Sequence, residues 1–331
     1  MEKVIAVVVS YNRQNLLSEC IKALRNQTRR PDAILVVNNG STDNTEQWLK
    51  TQKDIQFITQ NNVGSGGGFN AGISHAFKAG YSWVWCMDDD GHPKENALEQ
   101  LLQHDTHERS LLNCAVINKE DRKSFVWNTG NYASIDDVTE PLIKDIAHPF
   151  NGTLIHRAII EKVGLPKASL FLWGDESEYL YRITKKYNFP VYTVTSSIHY
   201  HPAAAFKYSQ DWDFKSQWKM YYYIRNRFEI NKAKFSSKLY AIFHYLFFLA
   251  AMVGIVMVYQ KTNKLKKLSF IVWPMTDALK NNYSATPSYI LEKLNNNKHS
   301  KWQFPFRVAF HNTWHLFFSG NQTNPGNTTT A

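Results

Sequence analysis

Trp83-Val84-Trp85-Cys86-Met87-Asp88-Asp89-Asp90 is the stretch that decides how this chain folds. Its apolar half predicts a buried strand. Three carboxylates at the exit repel one another unless a cation sits among them. On an extended segment Asp88 and Asp90 point the same way, and Asp89 leans the other way. Carboxylates are hard oxygen ligands that suit Mg2+ or Mn2+ better than zinc. The plainer alternative is an acidic turn capping the next helix, with Pro93 at its start.

The segments before the triplet repeat the same layout. Val4–Val9 is a β-branched run, as in a strand covered on both faces. Leu16, Leu17, Cys20, Ile21 and Leu24 have helical spacing between Asn12 and Asn26. Ala33–Val37 and Ile55–Thr59 are further strands, with a helix at Thr45–Thr51 between them. Val63 to Gly68 is predicted as a glycine-rich loop, followed by a helix over Phe69–Ala79. This β-α-β-α-β-α-β order predicts an α/β fold: a mostly parallel sheet with helices on both faces. Ligands of such sheets bind at the carboxyl ends of the strands. There this chain carries Ser10-Tyr11-Asn12, Asn38 to Asp43, Asn61 to Gly68, and Asp88 to Asp90. Residues 116–205 are less regular, with short strands near Phe125–Tyr132 and helices from His156 to Gly164 and over Asp175–Tyr187. His199 and His201 flank Tyr200 and share a face of an extended segment.

Composition bounds the function. The three cysteines, Cys20, Cys86 and Cys114, are odd in number and far apart, which indicates neither a disulfide framework nor a zinc site. A reducing cytoplasmic setting fits these cysteines, and the N-terminal run has no basic region followed by a long apolar stretch, so no signal peptide is expected. The net charge of +10 is uneven: residues 206–310 hold 17 Lys and Arg against 5 Asp and Glu. Within them Leu239–Tyr259 is apolar except for His244 and is flanked by lysines from Lys232 to Lys238 and from Lys261 to Lys267. Its length allows a bilayer span, but its aromatics and flanking lysines describe a surface resting on anionic lipid. A buried core helix is the third reading. Nucleic acid is not expected, because the aromatics cluster with aliphatics rather than interleave with arginines. The tail, 321–331, is expected to be disordered.

The rim resembles family-2 glycosyltransferases with the GT-A nucleotide-sugar-binding fold. The matching residues are Val8 to Arg13, Val36 to Asp43, Asn62-Val63-Gly64, Asp88 to Asp90, Phe150 to Ile155, Val163 to Pro166, Phe171 to Tyr179 and His199 to Pro202. They cover residues 4–205, which places a catalytic domain at 1–205 and a helical, basic, aromatic extension at 206–320. The Asn62-Val63-Gly64-Ser65-Gly66-Gly67-Gly68-Phe69-Asn70 run and Trp173-Gly174-Asp175-Glu176-Ser177-Glu178-Tyr179 look like bacterial galactofuranosyltransferases.

The resemblance implies a site and a reaction. Asp88 and Asp90 would hold Mn2+ or Mg2+ on the donor diphosphate, with His199 the further ligand the family pattern favours and His201 its rival. Ser10, Asn12, Asn39 and Asp43 would contact the nucleobase, and Arg13 the phosphates. Asn62, Gly64, Gly66, Gly67, Gly68, Asn70 and Asp89 would lie along the sugar and diphosphate, since glycines admit close backbone approach. The acceptor hydroxyl needs a carboxylate base. The resemblance maps it to Glu176, with Asp175 a contender because relatives more often have Asp there. Trp173 and Glu178 would face the acceptor. The implied reaction is inverting transfer of galactofuranose from UDP-galactofuranose to a glycan, or lipid-linked glycan, of a bacterial surface polysaccharide such as O-antigen or capsule. Such an enzyme would sit peripherally on the inner face of the cytoplasmic membrane. The alternatives are a rhamnosyltransferase using dTDP-rhamnose and a non-catalytic nucleotide-sugar-binding assembly protein.

Overall fold

The computed structural model describes residues 2–104, 109–203, 210–213 and 218–295. The expected boundary at 205, the last part of the extension and the expected disordered tail, 321–331, lie outside them.

The first half follows the predicted alternation: β1 (Val4–Ser10), α1 (Gln14–Arg25), β2 (Ala33–Asn38), α2 (Thr45–Thr51), β3 (Gln56–Thr59), α3 (Gly64–Lys78) and β4 (Trp83–Asp88). Then come β5 (His92–Pro93), α4 (Ala97–Gln103), β6 (Leu111–Asn118), β7 (Ser124–Thr129), β8 (Tyr132–Ser134), β9 (Leu142–Lys144), β10 (Asn151–His156), α5 (Arg157–Val163), α6 (Asp175–Tyr181) and β11 (Val191–His201). Four helices close the described chain: α7 (Met220–Lys234), α8 (Lys238–Tyr259), α9 (Lys264–Leu279) and α10 (Pro287–Asn295).

The main sheet runs β3-β2-β1-β4-β10-β6-β11-β5. Strands β3, β2, β1 and β4 pair in parallel, as do β6 and β11, while β10 runs antiparallel to both β4 and β6. A register shift between Asn151 and Thr153 marks its entry, at Gly152 with φ +71°. A Cβ on Gly152 would lie 2.7 Å from the Cys114 sulfur, so glycine lets the reversed strand fit.

Side chains alternate across β1. Val4, Ala6 and Val8 join α1 and α4 in one core, while Ile5, Val7 and Val9 join α3 and α5 in the other. This two-sided burial explains why the strands read as continuous apolar runs.

One element departs from expectation. The glycines at 64–68 are not a loop but the first turns of α3, and Gly64, Gly66, Gly67 and Gly68 are all buried. A Cβ on Gly68 would lie 2.5 Å from Val9 Cγ1, and one on Gly72 2.4 Å from Val7 Cγ1. Close packing on β1 selects glycine here and offsets its poor helix propensity.

Helices α7 to α10 build a third core around Tyr221, Tyr222, Tyr245, Met252 and Phe270, against which Phe171, Leu172 and Trp173 also pack. Helix α8 buries one stripe, Ala241, Tyr245, Leu249, Met252 and Val256. Its opposite side exposes Phe243, Phe247 (69%) and Val258 (73%). Only 28% of its most apolar stretch is buried, which is inconsistent with a core helix.

Candidate active site

Asp88, the last residue of β4, and the turn after it hold the acidic triplet. Asp89 is buried and accepts hydrogen bonds from Ser10 Oγ (2.7 Å) and Arg13 (3.1 Å). Burial outweighs these partners and pushes its carboxyl up to about 6. Ser10 and Asp89 are therefore internal supports of the rim. Asp90 is bound by Arg13 at 2.8 Å and lies 3.3 Å from His201 Nε2. Burial opposes ionisation of Asp90, but His201 and Arg13 outweigh it and hold the carboxyl at about 2. The Asp88 carboxylate receives no hydrogen bond from the described residues. Burial, then Asp90, Asp89 and Glu176, drive its pKa well above the usual range. A group of like charges in this state is relieved by a cation.

The two histidines separate. His201 Nδ1 lies 2.7 Å from Pro202 O, which can only accept, so Nδ1 carries the proton. In the neutral ring Nε2 then faces Asp90 Oδ1 with a lone pair. Two acceptors at that distance call for a proton or a metal ion between them. His199 is fully buried, and neither ring nitrogen has a hydrogen-bond partner among the described residues. Burial lowers its pKa to about 3, so the ring is neutral. Its Nε2 lies under Gly91, where a Cβ would come within 2.2 Å. His201 is thus the histidine within 3.3 Å of Asp90, and His199 lies buried beneath Gly91 of the turn. No preformed cluster of three or more ligand side chains exists among the described residues. Asp88, Asp90 and His201 nevertheless fit a hard divalent cation that takes its remaining oxygens from water and a diphosphate.

Asp175 and Glu176 open α6, with different surroundings. Asp175 is fully buried, and Ser65 Oγ lies 3.3 Å and 3.4 Å from its two oxygens. Burial, reinforced by Glu176, pushes its pKa well above the usual range. Glu176 is partly exposed and accepts a hydrogen bond from Gly174 N at 2.9 Å. It is near enough to Asp88 for the two carboxylates to interact electrostatically. Glu178, expected at the acceptor, is instead buried between Lys167 and Arg182, at 3.0 Å from each. Two residues on, about half a turn of helix at 3.6 residues per turn, Glu178 points away from Glu176 into that ion network. Trp173 is half-buried, at right angles to the Tyr223 ring, with Lys219 Nζ 5.8 Å above its own.

The expected nucleobase contacts divide. Asn39, expected to read the base, is saturated: its amide donates to Gly64 O (2.9 Å) and its oxygen accepts from Gln60 (2.9 Å) and Val63 N (3.3 Å). Asp43 caps two helices through Gln14 N and Thr45 N; burial works against it, yet the Thr45 hydrogen bonds hold its pKa down. Asn12, at φ +54°, bridges to Thr42 N and remains exposed on the rim. Asn62 accepts from Gly64 N at 3.0 Å, and Asn70 donates to Pro166 O at 2.7 Å. Asn70 and the buried glycines fasten α3 to its neighbours.

The comparisons agree with this architecture. Residues 5–163 match the model for Glycosyl transferase family 2. The galactofuranosyltransferase GlfT1 of Mycolicibacterium smegmatis is 31% identical over 220 residues, 61% of this chain and 71% of that protein. GlfT1 of Mycobacterium tuberculosis is 31% identical over 218 residues, 62% of this chain and 71% of that one. The chain belongs to glycosyl transferase family 2. The fold is shared with solved glycosyltransferase structures such as S. aureus TarS 1–349 in complex with UDP. Its TM-score is 0.52 at 12% identity, over 88% of this chain and 91% of that one.

Three side chains of this glycosyltransferase were missed in the sequence. Ser65 holds Asp175 and was hidden among glycines. Lys219, just before α7, lies over the Trp173 ring and is near enough to Arg13 and Asp90 for their charges to act on it. Asn226, also on α7, donates to Trp173 O at 3.1 Å. No local pattern ties residues 219 and 226 to a rim built by residues 10–90. Net positive charge in the extension was the single available signal.

Proposed function

We propose that this glycosyltransferase transfers galactofuranose from UDP-galactofuranose to a glycan acceptor, with inversion and with a divalent cation. The observation that carries the chemistry is the acidic turn of Asp88 and Asp90 at the end of β4, with Glu176 near enough to Asp88 for its charge to raise that carboxyl's pKa. The choice of donor is supported by the likeness to two galactofuranosyltransferases, each spanned over 71% of its length.

Asp88, Asp90 and His201 would hold Mn2+ or Mg2+, which neutralises charge on a leaving diphosphate. Arg13 and Lys219 add fixed positive charge beside it. Asn12 and the half-exposed Tyr11 border the space for the nucleotide. Glu176 takes the proton of the acceptor hydroxyl as its oxygen bonds to the anomeric carbon. The carbon–oxygen bond to the diphosphate breaks, and its electron pair leaves with UDP. The acceptor we propose is a glycan or lipid-linked glycan of a bacterial surface polysaccharide. The exposed apolar side of α8, beside Lys261, Lys264 and Lys266, supports peripheral residence on the anionic inner face of the cytoplasmic membrane.

The test is UDP or dTDP release from a panel of donors, with and without Mn2+, on synthetic acceptor glycans. Turnover of UDP-galactofuranose that a chelator abolishes is expected. Preference for dTDP-rhamnose would replace the donor assignment, and full turnover in chelator would remove the metal.

A further inference from the structure

Both sides of the cleft hang on one short segment, residues 170–174. Phe171 (φ +65°), Trp173 (φ +56°) and Gly174 (φ +125°) all lie in the left-handed half of backbone space. For non-glycine residues such a conformation persists only when neighbours impose it. On one side Phe171 O accepts from Gly66 N at 3.2 Å, and a Cβ on Gly64 would meet that oxygen at 2.0 Å, so the segment seats the start of α3. On the other side Gly174 N donates to Glu176 at 2.9 Å.

The neighbour that imposes the conformation is α7. Asn226 is fully buried, and its amide nitrogen donates to Leu170 O (2.8 Å), Leu172 O (2.9 Å) and Trp173 O (3.1 Å). Its oxygen accepts from Arg225 Nε at 3.0 Å, which fixes the orientation of the amide. Arg225 in turn donates to Ser169 O and Leu170 O and lies over the rings of Tyr222 and Tyr283, 4.9 Å from each centroid. Gly174 is pressed between: a Cβ there would lie 3.0 Å from Ile230 and 3.1 Å from Asn226.

We infer that Asn226, oriented by Arg225, is a positioning residue for the transfer. It holds 170–174 in its strained form so that Glu176 is aimed at the acceptor, and the helical extension is therefore part of the active site. The inference rests on the reading of Glu176 as the base.

The experiment compares full-length Asn226→Ala, Arg225→Lys and Glu176→Gln with the wild type. It reads kcat on an acceptor that supports wild-type turnover, UDP affinity by calorimetry, and folded fraction by circular dichroism. Misplacement of a reacting group by about 1 Å costs on the order of 10²-fold. Asn226→Ala is expected to lose about 10- to 100-fold in kcat per folded molecule with UDP affinity within about threefold. Arg225→Lys should show a smaller loss of the same kind, which keeps the test open if the alanine variant does not fold. Wild-type kcat per folded molecule, or a loss shared equally by kcat and UDP affinity, would overturn the inference. An active Glu176→Gln would overturn the base reading and the inference with it. An inactive Glu176→Gln beside a fully active Asn226→Ala would overturn the inference alone.

Discussion

Asp175 and Glu176 are adjacent in sequence but sit in opposite environments. Burial and the neighbouring Glu176 charge raise the pKa of Asp175, beside Ser65, whereas Glu176 is partly exposed. A base must be ionised and within reach of the acceptor, so Glu176→Gln should lose about 10²-fold or more in rate while UDP affinity stays. Asp175→Asn should lose less; a larger loss there would reverse the roles. His199 carries a second prediction. Its pKa is 6.5 in the ordinary state and about 3 when folded. The unfolded chain therefore takes up the proton first, and the stability His199 contributes is present above pH 6.5 and lost as pH falls towards 3. Asp88 and Asp89, with raised values, act in the opposite sense. Comparing thermal melts of His199→Asn with wild type in chelator, from pH 7 to 5, isolates the histidine. The wild type should lose more stability over that range than the variant; parallel curves would contradict a buried neutral ring.

At the scale of elements, α3 is the instructive case. Glycines cost a helix up to about 1 kcal/mol each relative to alanine, so the run at 64–68 reads locally as a loop. Glycine is needed at 68 and 72 because β1 lies too close beneath those positions for a side chain. Gly68→Ala would place a methyl 2.5 Å from Val9 Cγ1. The expected destabilisation is about 1–3 kcal/mol by denaturant unfolding. Adding Val9→Ala should recover part of it, because the two sites share one contact. An additive double mutant would show that the clash is not with Val9. The neighbouring α1 and α2 were legible within a residue or two, since their apolar spacing and polar ends are local.

At the scale of the whole molecule, the basic extension both completes the cleft and presents an apolar ridge. Helix α8 has 22 residues, a length of about 33 Å at 1.5 Å per residue. One side is packed and the other carries Tyr240, Phe243, Phe247 and Val258 in the open. Peripheral attachment combines insertion of these residues with charge attraction that decays over about 8 Å at physiological salt. Liposome flotation should show binding that falls without anionic lipid and at high salt but keeps a residual fraction. Phe243→Ser with Phe247→Ser should remove that residual. Binding indifferent to lipid charge and salt would contradict the peripheral reading and leave the family assignment intact.

The sequence by itself determined the alternation of strands and helices, the polar rim at the strand ends, the acidic triplet and the family, because period and turn chemistry are written within a few residues of each other. Tertiary structure decided the antiparallel β10, the helical glycines, the pairing of His201 rather than His199 with Asp90, and the withdrawal of Glu178 and Asn39 from the cleft. It also decided the hold of Asn226 on the segment before Glu176. Those outcomes depend on burial and on partners such as Asn226 and Leu172, 54 positions apart, which only the packed chain brings together.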